Sequence, residues 1–391
     1  MKKLFLIFLS IIFSVTGIVT PSDDLAPIPG RQGTPTDENI ELFEKIFESE
    51  TVWLASMQLE NGAYPMTYTA DGEVRINPYF ADFVALALLD KPEKYSDSVK
   101  KYTDWHFSHL NTNQTDRNGV DGTIYDYVIT LENAKITKEC IAFADGKESY
   151  DSTDSYAATF LTVLNKYRNK TADSEYIIEH SMEIQRVTNA MLSTFHKGLT
   201  TAKPDSNVKY LMDNCEVYEG TLAAAELFKD VLCFVDPALT EVQKKCEDTA
   251  LEIARTIENK LWMPLADHYE AGIRKHIGFP SDIFSWNQYY PSATAQLFPI
   301  IHGLIAPNTE RANKLYDKFC EKYDWENFNY PDAFYWGSNL QAAVAMNDID
   351  SAVVYLKNYE KLIDNHAYPL YNADAAKVCL ALNTLLNKYS H

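Results

Sequence analysis

From residue 37 onward, apolar residues recur every three or four positions, and the helical segments they mark alternate between two kinds. Twelve helices are predicted, at about 37–59, 78–90, 95–111, 153–167, 174–196, 215–231, 240–261, 290–304, 308–323, 338–347, 349–364 and 373–388. The odd-numbered ones are one-sided. In 240–261, Val242, Cys246, Ala250, Ile253, Ile257 and Leu261 form an apolar stripe, with Gln243, Lys244, Lys245, Glu247 and Asp248 opposite. Thr240 and Gln243 are spaced as a capping box before it. The even-numbered helices are poorer in charge and apolar nearly all round, as in the runs from Phe83 to Leu89, Tyr156 to Leu161 and Ala375 to Leu382. A helix of that kind is buried on every side. Six one-sided helices around six buried ones make an (α/α)6 toroid, so the expected class is all-α. With only 14 glycines, the chain is poor in the turns that an all-β fold needs. No fixed-length repeat supports a solenoid.

One domain is expected over 37–391. Before it, Lys2 and Lys3 precede an apolar run from Leu4 to Val15 and then small and polar residues, the layout of an export signal over 1–20. Residues 21–36, rich in proline and polar side chains, read as a flexible leader. The expectation is a secreted, monomeric protein. A formal charge of −20 argues against nucleic acid and anionic membrane as partners, since both need positive patches. The six cysteines, Cys140, Cys215, Cys233, Cys246, Cys320 and Cys379, form no CxxC pair and no zinc spacing. His106 and His109 lie three apart without a third ligand. No metal and no cofactor is therefore predicted.

The chemistry is expected where the buried helices begin. Those starts read Asn77-Pro78-Tyr79-Phe80, Tyr150-Asp151-Ser152-Thr153-Asp154-Ser155-Tyr156, Asp213-Asn214-Cys215-Glu216-Val217-Tyr218, Trp286-Asn287-Gln288-Tyr289-Tyr290, Phe334-Tyr335-Trp336-Gly337-Ser338-Asn339 and Tyr368-Pro369-Leu370-Tyr371-Asn372-Ala373-Asp374. Each combines aromatic rings with amides or acids. In a toroid the six inner starts converge on one end, giving a cleft of rings and hydrogen-bonding groups that suits a carbohydrate. Acids at helix starts also serve as caps, and Asp151 with Asp154, or Asp213 with Glu216, have that spacing. Caps do not need rings, however, and Tyr150, Tyr156 and Tyr218 are surplus to that role.

Hydrolysis of a glycoside needs two carboxyl groups, one to protonate the leaving oxygen and one to activate water or attack the anomeric carbon. Asp154 is the first candidate for the acid, because a ring-lined cleft raises a carboxyl pKa. Asp213 is its candidate partner, with Glu216 and Asp151 in reserve. Tyr79, Tyr156, Tyr218, Trp286, Gln288, Tyr289 and Trp336 are candidate sugar contacts. Asp126 joins them from an alternating run, Thr123 to Tyr127, read as a strand at the rim or as a plain hairpin. Arg75 and Lys209 are the basic residues nearest these starts, too few for the uronate neutralisation of a polysaccharide lyase.

The segments QLENGAYPMTY, YDSTDSYAATFL and DNCEVYEG, with the helix count, resemble the six-hairpin glycosidase superfamily over about 37–388. The resemblance implies an (α/α)6 fold and a general acid at an inner-helix start, matched here by Asp154 and Asp213. The same toroid also carries polysaccharide lyases and epimerases, and a non-catalytic glycan-binding protein would show the same rings. The leading expectation is a secreted glycoside hydrolase acting on an oligo- or polysaccharide.

Overall fold

The computed structural model describes residues 33–274, 284–366 and 369–390. The expected export signal and most of the leader lie outside the described residues, as do Tyr368 and the Pro280–Ile283 stretch before Trp286.

Helices α1 (Asp37–Ser56), α2 (Pro78–Leu88), α3 (Pro92–Ser108) and α4 (Asp154–Thr171) alternate outer, inner, outer, inner. The next outer position holds two helices, α5 (Ser174–Glu179) and α6 (Ser181–Ser193), broken at His180 where one continuous helix was expected. Then follow inner α7 (Leu211–Leu227), outer α8 (Thr240–Thr256), a short inner α9 (Phe298–Ile301), outer α10 (Glu310–Lys322), inner α11 (Gly337–Ala345), outer α12 (Ile349–Tyr359) and inner α13 (Asn372–Tyr389). The inner members touch in the order α2, α4, α7, α9, α11, α13, and α13 returns to α2, so the ring closes. That is the (α/α)6 toroid.

Two further local expectations fail for physical reasons. The inner helix expected over 290–304 is reduced to an irregular turn at Tyr289–Ala293 and the four residues of α9. Pro291 and Pro299 fall in that span and supply no N–H to a helical ladder. The capping box at Thr240 does not form. Its hydroxyl donates back to the Pro237 carbonyl, and Asp236 caps the preceding 3-10 turn instead.

The one sizeable sheet among the described residues joins a strand from the α1–α2 connection to two from the loop between α3 and α4. Strands β1 (Gly72–Ile76), β2 (Tyr127–Glu132) and β3 (Lys135–Ile141) pair antiparallel in that order, with Ile76 opposite Tyr127 and Tyr127 opposite Ile141. Asp126, just before β2, ties the sheet to the starts of α2 and α4 by accepting hydrogen bonds from Asn77 and Tyr156. No described helix is long and apolar enough to cross a membrane.

Candidate active site

The inner-helix starts surround one cavity of about 530 Å³, a size usual for small-molecule sites. Its wall on one side is α7, which presents Asp213 from its first turn and Glu216 one turn deeper. Opposite in the ring is α13, which presents Asp374 and, one turn deeper, Lys377. Aromatic side chains fill the gaps. Tyr79 and Tyr156 lie near-parallel with centroids 6.1 Å apart, and Tyr290, Phe334 and Trp336 stand across from them. Asp151, Asp332 and Lys203 complete the charged lining.

Burial sets the electrostatics. The Asp213 carboxyl is pushed well above its ordinary range by desolvation, reinforced by the charges of Asp154, Glu216 and Asp151. It therefore holds its proton in conditions where an exposed aspartate does not. Asp374 is pushed up to about 6 by burial, with Lys377 and the Gly337 amide pulling the other way. That amide donates to Asp374 Oδ1 at 3.2 Å and fixes the side chain. Glu216 is raised by burial, but His302, Lys377 and a hydrogen bond from Tyr79 limit the rise. The Tyr79 hydroxyl donates to Glu216 Oε1 at 2.5 Å.

The structure divides the candidate residues. Asp213, Glu216, Asp151, Tyr79, Tyr156 and Trp336 all line the cavity. Asp154 does not. It is fully buried at the start of α4, where Oδ1 accepts from the Ser152 hydroxyl at 2.6 Å and the Ser155 amide at 2.8 Å. Its Oδ2 has no hydrogen-bond partner. The axial face of α4 carries Ser155, Thr159 and Thr162, so Asp154 is turned off it toward the protein interior. Asp126 also sits behind the wall. It pairs with Arg75 at 2.6 Å and accepts from the Tyr156 hydroxyl at 2.9 Å and the Asn77 amide at 3.2 Å. Its place is to hold two cavity residues in position. Tyr218, Trp286 and Tyr289 do not line the cavity either. Tyr289 is buried against Tyr330 with centroids 4.6 Å apart, and its neighbour Tyr290, with non-helical backbone, turns into the cavity instead. Gln288 accepts from the Ser292 hydroxyl in a separate small recess. The basic residues near the starts are engaged elsewhere, Arg75 with Asp126 and Lys209 with the carbonyls of His196 and Leu199. His106 stacks on Phe160 at 3.5 Å, and His109 faces Glu139.

Asp374, Asp332, Lys377 and Tyr290 belong to the cavity and were not singled out in the sequence. Asp374 stood in one of the quoted starts, in the same first-turn position as Asp213.

Asp154 carries a stability prediction. Burial pushes its carboxyl up to about 6 from an ordinary aspartate value near 4. Between those values the unfolded chain has released a proton that the native protein still holds, so stability falls as pH rises through this window. Asp154→Asn is expected to melt with wild type at pH 4 and to be more stable at pH 8 by on the order of 2 kcal/mol. Thermal melts at both pH values check it, and equal melting at pH 8 would refute it.

No family model matches the sequence, and a search of curated proteins returns no match. Solved structures do match the fold. A glycosidase superposes with a TM-score of 0.60 at 10% identity, covering 91% of this chain and 99% of that one. An alpha-amylase from Clostridium perfringens gives 0.57 at 11% identity over 87% and 97% of the two chains. A GH63 mannosylglycerate hydrolase from Thermus thermophilus, in complex with glucose, gives 0.56 at 12% identity over 86% and 99%. The toroid of these glycosidases is the fold of this chain.

Proposed function

We propose that the protein is a glycoside hydrolase that takes one end of an oligo- or polysaccharide into the cavity. The observation that carries this reading is the supply of carboxylates to one ring-lined cavity from diametrically opposed inner helices, Asp213 on α7 and Asp374 on α13. A scissile bond between them meets a proton donor on one side and a base on the other. Asp213, held protonated by burial among other acids, donates to the leaving oxygen. Asp374, anchored by the Gly337 amide and close to Lys377, takes the proton of the attacking water. The oxygen of that water bonds to the anomeric carbon as the glycosidic C–O bond breaks, so each product ends with a hydroxyl. Tyr79, Tyr156 and Trp336 offer ring faces to the sugar. Glu216 and Asp151 accept from its hydroxyls.

The cavity contains two lysines and no arginine or histidine, against five carboxylates. That composition disfavours a polyuronate substrate and the lyase reaction. The predicted export signal is the support for an enzyme acting outside the cell. Mass spectrometry of a glycan panel is the test. Products heavier by one water, formed by wild type and lost in Asp213→Asn, support the reading. Unsaturated products, or none at all, overturn it.

The acid and base assignments fix a pH profile. Asp374 acts ionised and Asp213 acts protonated, so kcat/KM is expected to fall below about pH 6, where Asp374 takes up its proton. It falls again at higher pH, where Asp213 loses its own. A rate that keeps rising as pH drops through 5 is incompatible with Asp374 as base.

A further inference from the structure

The inner helices line more than the cleft. Below it, along the axis, lies a second chamber of about 300 Å³. The same helices supply it, one to three turns further along. Helix α4 contributes Thr159, Thr162 and Lys166, α7 contributes Glu219, and α13 contributes Asn383 and Thr384. Its mouth is at the far end of the toroid, where Glu219 and Thr384 are exposed. Four residues border both spaces: Glu216, Phe298, Ser338 and Lys377. The floor of the cleft is thus the roof of the chamber, and half of it is charged.

Four of the chamber's ionisable side chains are paired with one another. Lys166 pairs with Asp90 at 2.7 Å, and His302 with Glu219 at 2.6 Å. Threonine hydroxyls and the amides of Gln341 and Asn383 share the remaining lining with Phe83, Leu86, Phe298, Ile301 and Leu380. A polar, roomy space with several donors and acceptors holds ordered water, whereas a dry cavity is lined by apolar groups. The roof offers water the Glu216 carboxylate as acceptor, the Lys377 ammonium as donor and the Ser338 hydroxyl as either. Lys377 lies over the Phe83 ring at 4.3 Å. On α13 it is one helical turn below Asp374.

We propose that the axial chamber is the water-entry route of the enzyme, and that Glu216 and Lys377 pass water from it to the base side of the cleft. The inference rests on the hydrolase reading. It answers a problem that reading creates: a glycan end seated in the cleft displaces the water there and covers the opening through which more would come. A supply from the opposite end leaves the nucleophile available while the substrate is in place. The step stays balanced. Water from below gives its oxygen to the anomeric carbon and its proton to Asp374, while Asp213 protonates the leaving oxygen.

Two plugging substitutions far from Asp213 and Asp374 test the route, Thr162→Phe and Asn383→Phe. They project into the chamber from different helices, so misfolding of one leaves the other. On a glycan that wild type hydrolyses, kcat is expected to fall about tenfold or more, with KM and the affinity for the released sugar held within about twofold. A crystal structure of the wild type is expected to show ordered waters from the Thr384 end to the Glu216 carboxylate. Unchanged kcat in a folded variant whose ring is seen to fill the chamber overturns the route and leaves the hydrolase reading standing. A dry chamber overturns it as well, whatever the activity. Wild type inert on every glycan removes the hydrolase reading, and the route with it.

Discussion

Asp213→Asn is expected to lower the rate of glycan hydrolysis by about 10²–10⁴-fold while leaving the fold and the binding of the glycan in place. The replacement keeps the shape of the side chain and removes the transferable proton. The loss falls in kcat, because proton donation matters at the breaking C–O bond and contributes little to the bound ground state. Substrate chemistry separates this role from a merely structural one. An aryl glycoside whose phenol leaves readily as an anion needs little help from an acid, so the variant should regain much of the wild-type rate on a dinitrophenyl glycoside. If Asp213 only shaped the cleft, both substrates would suffer alike. Removing Asp213 also takes away one of the acids that crowd this end of α7, where Asp154, Glu216 and Asp151 all raise its carboxyl. Equal losses on good and poor leaving groups would sink the assignment.

The fold was legible because the two helix types differ in how many faces they bury, and that difference is written in composition. The cleft was legible for a related reason. The first turns of inner helices must converge, so Tyr79, Tyr156, Asp213 and Glu216 were found by position alone. Rotation about each helix axis was not legible. Consecutive helical residues differ by about 100°, so Asp154 and Ser155 point in quite different directions. Only the packing of α4 between α2 and α7 decides that Ser155 meets the axis and Asp154 the interior. The same uncertainty exchanged Tyr289 for Tyr290, where the prolines leave too little regular helix to define a face. Lys377 carried a usable signal. It is the one charge in the run from Ala375 to Leu382, and such a residue inside a buried helix must reach either a partner or water. Following α13 from Lys377 back one turn leads to Asp374.

Gly220→Val is expected to destabilise the protein by about 3 kcal/mol or more, enough to send much of it into the insoluble fraction. Gly220 lies inside α7 with ordinary helical backbone, so the requirement for glycine is steric. A Cβ there would sit 2.5 Å from Ala158 Cα, 2.5 Å from Ala158 Cβ and 2.7 Å from the Ala158 carbonyl oxygen. Two of those three atoms are backbone, so no rotamer change relieves the clash and α4 must move from α7. Gly220→Ala already isolates the effect. Alanine improves intrinsic helix propensity by about 1 kcal/mol, so any net loss understates the packing cost. Ala158→Gly in the same chain removes the Cβ contact and leaves the other two, so rescue should be partial. Full rescue would show that the side chain alone was in the way. The consequence reaches the cleft, since α4 brings Ser155 and Tyr156 to one wall and α7 brings Asp213 and Glu216. Soluble Gly220→Ala should therefore lose kcat although every side chain in the cavity is unchanged, because a displacement near 1 Å at catalytic groups costs on the order of 10²-fold. Wild-type kcat in a measurably destabilised Gly220→Ala would mean that the clash relaxes away from the cleft, and that this close approach holds the ring together without aligning its chemistry.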